Sequence, residues 1–201
     1  MFGEDLIINK IFKNKKKGTY VDIGCYHPIE GSNTYLLFKK GWSGINIDLN
    51  KTSVELFEIA RSKDINLNLA ISNKSKKIKY YFRKNINMLN TINIKFAKNN
   101  FLKGFKTSLI QSHTLNSILK KTYFSKKIDF LNLDIEGNEI NALKSLDFKK
   151  YCPKVICVEM HKTTGRNKKN QLENNSLFKF LKKKGYKYFW NKEFSYIFKK
   201  R

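Results

Sequence analysis

A chain of 201 residues, 41% of them hydrophobic, is long enough to bury one core and too apolar to be disordered by composition. Its 41 Lys and Arg against 16 Asp and Glu give a formal net charge of +25, a field that draws nucleic acid, anionic headgroups or acidic glycans. The lysines are spread along the chain and accompany many Ile and Asn, so compositional bias explains the charge equally well. Cys25, Cys152 and Cys157 form no C-x-x-C pair, and an odd count argues against a disulfide framework. A reducing, cytoplasmic setting is the expectation. The opening Met1-Phe2-Gly3-Glu4-Asp5-Leu6 lacks the basic and apolar regions of a signal peptide. No apolar run approaches the ~20 residues of a membrane span.

Residues 1–17 read as a leading helical segment ahead of one domain at 18–201. Within it, Leu6, Ile7, Ile8, Ile11 and Phe12 repeat at helical spacing over 4–14. Residues 19–24 form the first strand. A helix over 33–40 follows, stopped by Gly41, then a strand over 44–48. Residues 52–62 are a helix that Thr52 or Ser53 can cap. Asn66-Leu67-Asn68-Leu69-Ala70-Ile71 alternates as a third strand, and 77–83 as an extra one. The long polar stretch 85–112 suits a lid or acceptor-binding segment. Helix 114–121, strand 128–134, helix 138–146, strand 155–160 and helix 172–184 complete the alternation. Residues 186–190 and 194–198 close it as an antiparallel pair. Strands alternating with helices give an α/β domain with a doubly wound, mostly parallel sheet.

The first strand ends in Asp22-Ile23-Gly24, and Ile45-Asn46-Ile47-Asp48 ends in a second aspartate two dozen residues on. That spacing suits a βαβ nucleotide site, in which the glycine permits a sharp turn and the distal carboxylate accepts from ribose hydroxyls. The G-x-G-x-x-G of a pyrophosphate binder is missing, since Tyr26, His27 and Pro28 follow Gly24. The ligand is therefore read as a nucleoside without pyrophosphate, with S-adenosylmethionine the leading candidate. Ser32, Asn33 and Thr34 open the next helix, where they can cap it or bind an aminocarboxylate.

Ligands in such sheets sit at the carboxyl ends of the strands. Asp22 and Gly24, Asp48, Asp134 with Glu136, and Glu159 with His161 all fall there. Strand residues two apart share a face, so Asp134, Glu136, Glu159 and His161 can converge. An imidazole beside a carboxylate is a general base for a hydroxyl. The same set could hold Mg²⁺, Mn²⁺ or Zn²⁺, and the sequence leaves the metal question open.

These segments together resemble the FkbM family of S-adenosylmethionine-dependent methyltransferases. The resembling pieces are Val21-Asp22-Ile23-Gly24, Ser32-Asn33-Thr34-Tyr35, Gly44-Ile45-Asn46-Ile47-Asp48, Asn66 to Ile71 and Thr114 to Leu119. The most specific is Ile128 to Gly137, ending Asp134-Ile135-Glu136-Gly137, followed by Val155 to Glu159. The resemblance implies a Rossmann-like class I methyltransferase fold, seven-stranded, with an antiparallel last strand. It implies O-methylation, commonly of a sugar or polyketide hydroxyl. Asp22 and Gly24 would flank the methionine part of the cofactor, Asp48 would bind ribose, and Ala70-Ile71 would lie by adenine; Asn33 and Thr34 are counted with the cofactor site on their own reading as aminocarboxylate binders. Asp134 would reach both cofactor and reacting centre, with Glu136 beside it. A sugar or glycan acceptor is the expected partner, and the basic composition leaves room for an anionic or lipid-linked one. Two other readings stand against this: a nucleic-acid methyltransferase, disfavoured because no Asn-Pro-Pro-Tyr-like tetrad follows the fourth core strand, and a basic module that binds nucleic acid or membrane, which leaves the strand-end acids unexplained.

Overall fold

The computed structural model describes residues 3–84, 87–122, 124, 127–160 and 172–201. Ten strands and seven helices can be labelled among them. They run α1 (Glu4–Ile11), β1 (Thr19–Ile23), α2 (Tyr35–Lys39), β2 (Ser43–Asp48), α3 (Lys51–Ala60), β3 (Ile65–Asn68), β4 (Ala70–Ile71) and β5 (Lys76–Phe82). Then come α4 (Ile94–Asn100), β6 (Lys106–His113), α5 (Leu115–Lys121), β7 (Phe130–Leu133), α6 (Glu139–Lys144), β8 (Val155–Glu159), α7 (Ser176–Lys183), β9 (Tyr186–Lys192) and β10 (Ser195–Lys200).

Seven strands form the main sheet in the order β3-β2-β1-β7-β8-β10-β9. The pairings β1–β2, β2–β3, β1–β7 and β7–β8 are parallel, and β10 runs antiparallel between β8 and β9. The strand order reverses between β1 and β7, which opens a crevice at their carboxyl ends.

Alternation along the strands divides the core in two. Val21, Ile23, Ile45, Ile47, Leu131, Leu133, Ile156 and Val158 pack with Leu115, Ile118 and Leu119 of α5, Ala142 and Leu143 of α6, and Leu177, Phe178 and Leu181 of α7. Tyr20, Phe130, Val155, Cys157 and Ile197 pack with Ile8 of α1, Phe12, Leu37 of α2 and Trp42. The leading helix is thus part of the domain's core, seating Ile8 with no exposed surface.

One row across the sheet is polar. Asn66, Asn46, Asp22 and Asn132 stand in register on β3, β2, β1 and β7. Asn46, Asp22 and Asn132 are all buried. Within the row Asn46 Oδ1 stays buried without a partner among the described residues, while Asn46 Nδ2 donates to Asn66 Oδ1 at 2.8 Å and Asn132 Nδ2 to Asp22 Oδ1 at 2.9 Å. Buried polar groups are tolerated when paired in this way.

The structure departs from the sequence reading in three elements. The single strand expected over 66–71 breaks at Leu69: Ile65–Asn68 joins the main sheet, and Ala70–Ile71 joins a second sheet of order β4-β6-β5. The helix over 51–60 is capped by Asn50, whose Oδ1 accepts from Thr52 N and Ser53 N, so neither Thr52 nor Ser53 is the cap. The undecided stretch 85–112 contains α4 and most of β6, with β5 and β6 paired antiparallel from Lys76↔Ser112 to Phe82↔Lys106.

Candidate active site

The loop after β1 is tied to the end of β2. Gly24 N donates to Ile47 O at 2.8 Å, and Tyr26 N donates to Asp48 Oδ2 at 2.9 Å. The loop after β7 meets the same point, with Asp134 N donating to Ile23 O at 3.0 Å. Gly24 has φ +77, and a Cβ there would lie 1.7 Å from the Asp134 carbonyl oxygen. Only glycine fits that crossing.

Asp22 sits beneath this loop, 1% exposed. Thr34 Oγ1 donates to its Oδ2 at 2.7 Å, and Asn132 Nδ2 donates to its Oδ1. Asn33 Nδ2 in turn donates to Asn132 Oδ1 at 3.1 Å. Behind Thr34 lies Arg61, also 1% exposed. Its Nη1 donates to Thr34 Oγ1 at 2.8 Å, and its Nη2 donates to Ser32 Oγ at 2.9 Å and to the Pro28 carbonyl. The guanidinium lies 4.9 Å from the Phe57 ring and 5.1 Å from that of Phe38. A buried charge needs such company. Burial raises the Asp22 carboxyl above its usual range, against the pull of the Thr34 and Asn132 hydrogen bonds.

A cavity of about 410 Å³ opens where these loops meet. Asp22, Gly24, Asn33, Asp48, Ala70, Ile71, Asp134, Glu136 and Glu159 all line it. Thr34 does not line it and stands one layer behind, holding Asp22. His161 lies outside the described residues. Asp48 Oδ1 accepts from Asn50 N at 2.8 Å, and burial pushes its carboxyl up to about 6. Asn33 and Asn90 are each 8% exposed, and their Oδ1 atoms are buried without a partner among the described residues.

Asp134, Glu136 and Glu159 bring carboxylate oxygens within 4.8 Å of one another. The cause differs from the strand alternation expected for the first two. β7 ends at Leu133, and Asp134-Ile135-Glu136-Gly137 is a turn in which Glu136 has φ +55 and Gly137 φ +93. Desolvation, then the neighbouring Glu159 and Glu136, hold the Asp134 carboxyl well above the ordinary range. Glu139 braces the turn, its Oε1 accepting from Ile135 N at 3.2 Å and Gly137 N at 3.0 Å. Burial raises its carboxyl to about 7.

The outer wall comes from the region the sequence left open. Thr91 pairs with Tyr81, and its Oγ1 donates to Glu136 O at 2.9 Å. Asn93 caps α4 through Oδ1 while its Nδ2 donates to Gly137 O at 3.0 Å. Asn138 Nδ2 donates to Ile71 O at 2.8 Å, fastening the small sheet to the same turn. Asn87, Met88, Leu89, Asn90 and Phe96 consequently face the cavity. Glu4 of α1 also lines it and accepts from Ser195 Oγ at 2.6 Å.

Sequence reasoning missed Arg61, Asn132, Asn90 and Glu4. Asn132 carried a usable signal, being an amide within an otherwise apolar strand, Phe130-Leu131-Asn132-Leu133. The others depend on which elements pack together.

A mostly parallel sheet with an antiparallel final strand, and carboxylates gathered at the β1/β7 crevice, define a Rossmann-like methyltransferase. Residues 22–188 match the model of the methyltransferase FkbM domain. The chain belongs to the FkbM methyltransferase family, and it is an S-adenosylmethionine-dependent methyltransferase. Comparison with curated proteins and with solved structures finds no match.

Two consequences can be measured. Gly24→Ala should weaken S-adenosylhomocysteine binding more than about ten-fold and lower stability by about 1–3 kcal/mol through overpacking; calorimetric titration and a urea melt check both. The folded Glu139 carboxyl titrates near 7, above its ordinary 4.5, so the folded state retains a proton that the unfolded chain has released. Stability from the neutral form is full below pH 4.5 and is lost as pH rises through 7. Glu139→Gln keeps an acceptor for Ile135 and Gly137, so its melting temperature should gain on the native protein's steadily across that window. Parallel curves would contradict the assignment.

Proposed function

We propose that the protein transfers the methyl group of S-adenosylmethionine to a hydroxyl of a sugar or glycan. The observation that carries this is the joining of an acid-lined, sulfonium-compatible cavity to a raised-pKa carboxyl, Asp134, open to the same space. The residues fit the cofactor. Gly24 leaves room where any side chain would intrude. The orphan Asn33 Oδ1 calls for a donor such as the methionine ammonium, and Asp22 lies beside it. Asp48, at the end of β2, suits the ribose hydroxyls, and Ala70 with Ile71 offers an apolar flank for adenine. Thr34 acts from behind, by fixing Asp22.

When bound, the cofactor supplies an activated methyl on a sulfonium. The protein then has to align an acceptor oxygen at ~3 Å and take its proton. Asp134 is proposed as the base. A carboxyl held high in its range accepts a proton near neutral pH more effectively than an ordinary aspartate. Glu136 and Glu159 orient it or share a divalent cation with it. His161, outside the described residues, is the second base proposed from the sequence. We read the protein as cytoplasmic; among the described residues no helix is long and apolar enough to cross a membrane.

The test is transfer of labelled methyl from S-adenosylmethionine to a panel of saccharides, with DNA and RNA as comparators. A methyl ether on a saccharide is expected, and Asp134→Asn should cut kcat roughly 10²-fold or more. Transfer to nucleic acid alone would overturn the reading. Ionised Asp48 is the stronger acceptor for ribose, so cofactor affinity should fall as pH drops through about 6. Asp48→Asn should flatten that profile, as titration calorimetry at several pH values would reveal.

A further inference from the structure

The acids and bases of this chain are sorted around the cavity. Six of its 16 Asp and Glu, namely Glu4, Asp22, Asp48, Asp134, Glu136 and Glu159, line the cavity. Among the described lining residues there is no Lys or Arg. In a chain of net charge +25, that segregation is the reverse of what composition predicts. An open groove of about 550 Å³ adjoins the mouth. Tyr26, Asn87, Met88 and Leu89 line both spaces, so the two are neighbours across these side chains. The two residues that belong to the groove alone are Arg83 and Lys84, both exposed, and no acid lines it among the described residues.

We propose that the acceptor is anionic, and that Arg83 and Lys84 seat its phosphate or carboxylate while the hydroxyl to be methylated reaches past Met88 and Leu89 into the cavity. This rests on the reading of the cavity as the seat of a saccharide acceptor. The electrostatics divide the labour. A cationic sulfonium is drawn to the carboxylate-lined interior, which would repel an anion brought to the same place. An anionic acceptor therefore needs its charge held outside, and the guanidinium of Arg83 offers a fork matched to either oxyanion. Met88 is 56% exposed and supplies apolar surface between the two compartments for the sugar ring. Asn90 Oδ1, buried and unpartnered among the described residues on the same wall, is an acceptor available to one of the ring hydroxyls.

The experiment titrates the protein loaded with S-adenosylhomocysteine. The probes are glucose, glucose 1-phosphate, glucuronic acid and inorganic phosphate, followed through backbone amide shifts and affinity. The proposal expects the charged sugars to bind at least roughly ten-fold tighter than glucose, with shifts at Arg83 and Lys84. It expects Arg83→Glu with Lys84→Glu to erase that preference while S-adenosylhomocysteine binds as before. Lys182→Glu with Lys183→Glu, exposed on α7, controls for the general basic field and should change the preference little. Preference for glucose 1-phosphate or for glucuronic acid identifies phosphate or carboxylate as the anion, and either supports the proposal. Equal binding of glucose and the charged sugars overturns it and leaves the saccharide reading intact. Binding of phosphate at Arg83 and Lys84 with no sugar bound keeps the anion seat and overturns the saccharide reading. An equal loss in both double variants assigns the preference to bulk charge and overturns the seat.

Discussion

The site depends on one buried aspartate being held still. Asp22 is gripped on both oxygens, by Thr34 on one side and Asn132 on the other. Those two partners come from α2's cap and from β7, so a single carboxylate joins the βαβ unit to the strand across the crevice. Arg61 extends the grip backwards to Ser32 and Pro28, in the loop between β1 and α2. Among the described residues this guanidinium makes no direct ion pair. Its charge is instead relayed through the Thr34 hydroxyl and cushioned by the Phe57 and Phe38 rings. Removing one member of such a network leaves the others buried and unpaired, a far larger penalty than the pair's net worth.

The carboxylates at the strand ends interact with one another as well as with what they bind. Desolvation first, and then the closeness of Glu159 and Glu136, raise the Asp134 carboxyl. Glu139, one turn further on, is spent on the backbone: it accepts from the two amides that shape the turn. Four neighbouring acids therefore divide into three facing the cavity and one facing the chain. Tertiary geometry makes that division, and composition says nothing of it.

Much of the main sheet was legible in the sequence because its strands obey simple rules. Val21, Ile23, Ile45 and Ile47 alternate with polar partners, and parallel strands between helices leave few topologies. The strand-end acids were legible for the same reason, since fold class alone says where carboxyl ends gather. The break at Leu69 was not, because the alternation of Asn66 to Leu69 runs straight into the apolar Ala70-Ile71 and reads as one strand across what are two sheets. Nor was the convergence of Asp134 and Glu136 correctly explained. A two-residue spacing looks like strand periodicity, whereas the positive φ of Glu136 and Gly137 produces it by a turn. Arg61 looked like any solvated base in a lysine-rich chain. Its burial follows from Phe57, one turn back on α3, and Phe38 of α2 closing over it, and the second of these contacts lies outside any local window. The wall from Asn87 to Asn100 was read by length and polarity alone, and its helix emerged only with the Asn93 cap.

Glu4 and Ser195 meet at the cavity from positions 191 residues apart. The carboxylate belongs to α1 and the hydroxyl to β10, which pairs with β8 on one side and carries β9 on the other. The chamber is therefore walled by two elements far apart in the chain, and a variant lacking β10 would carry the nucleotide motif without an enclosed chamber.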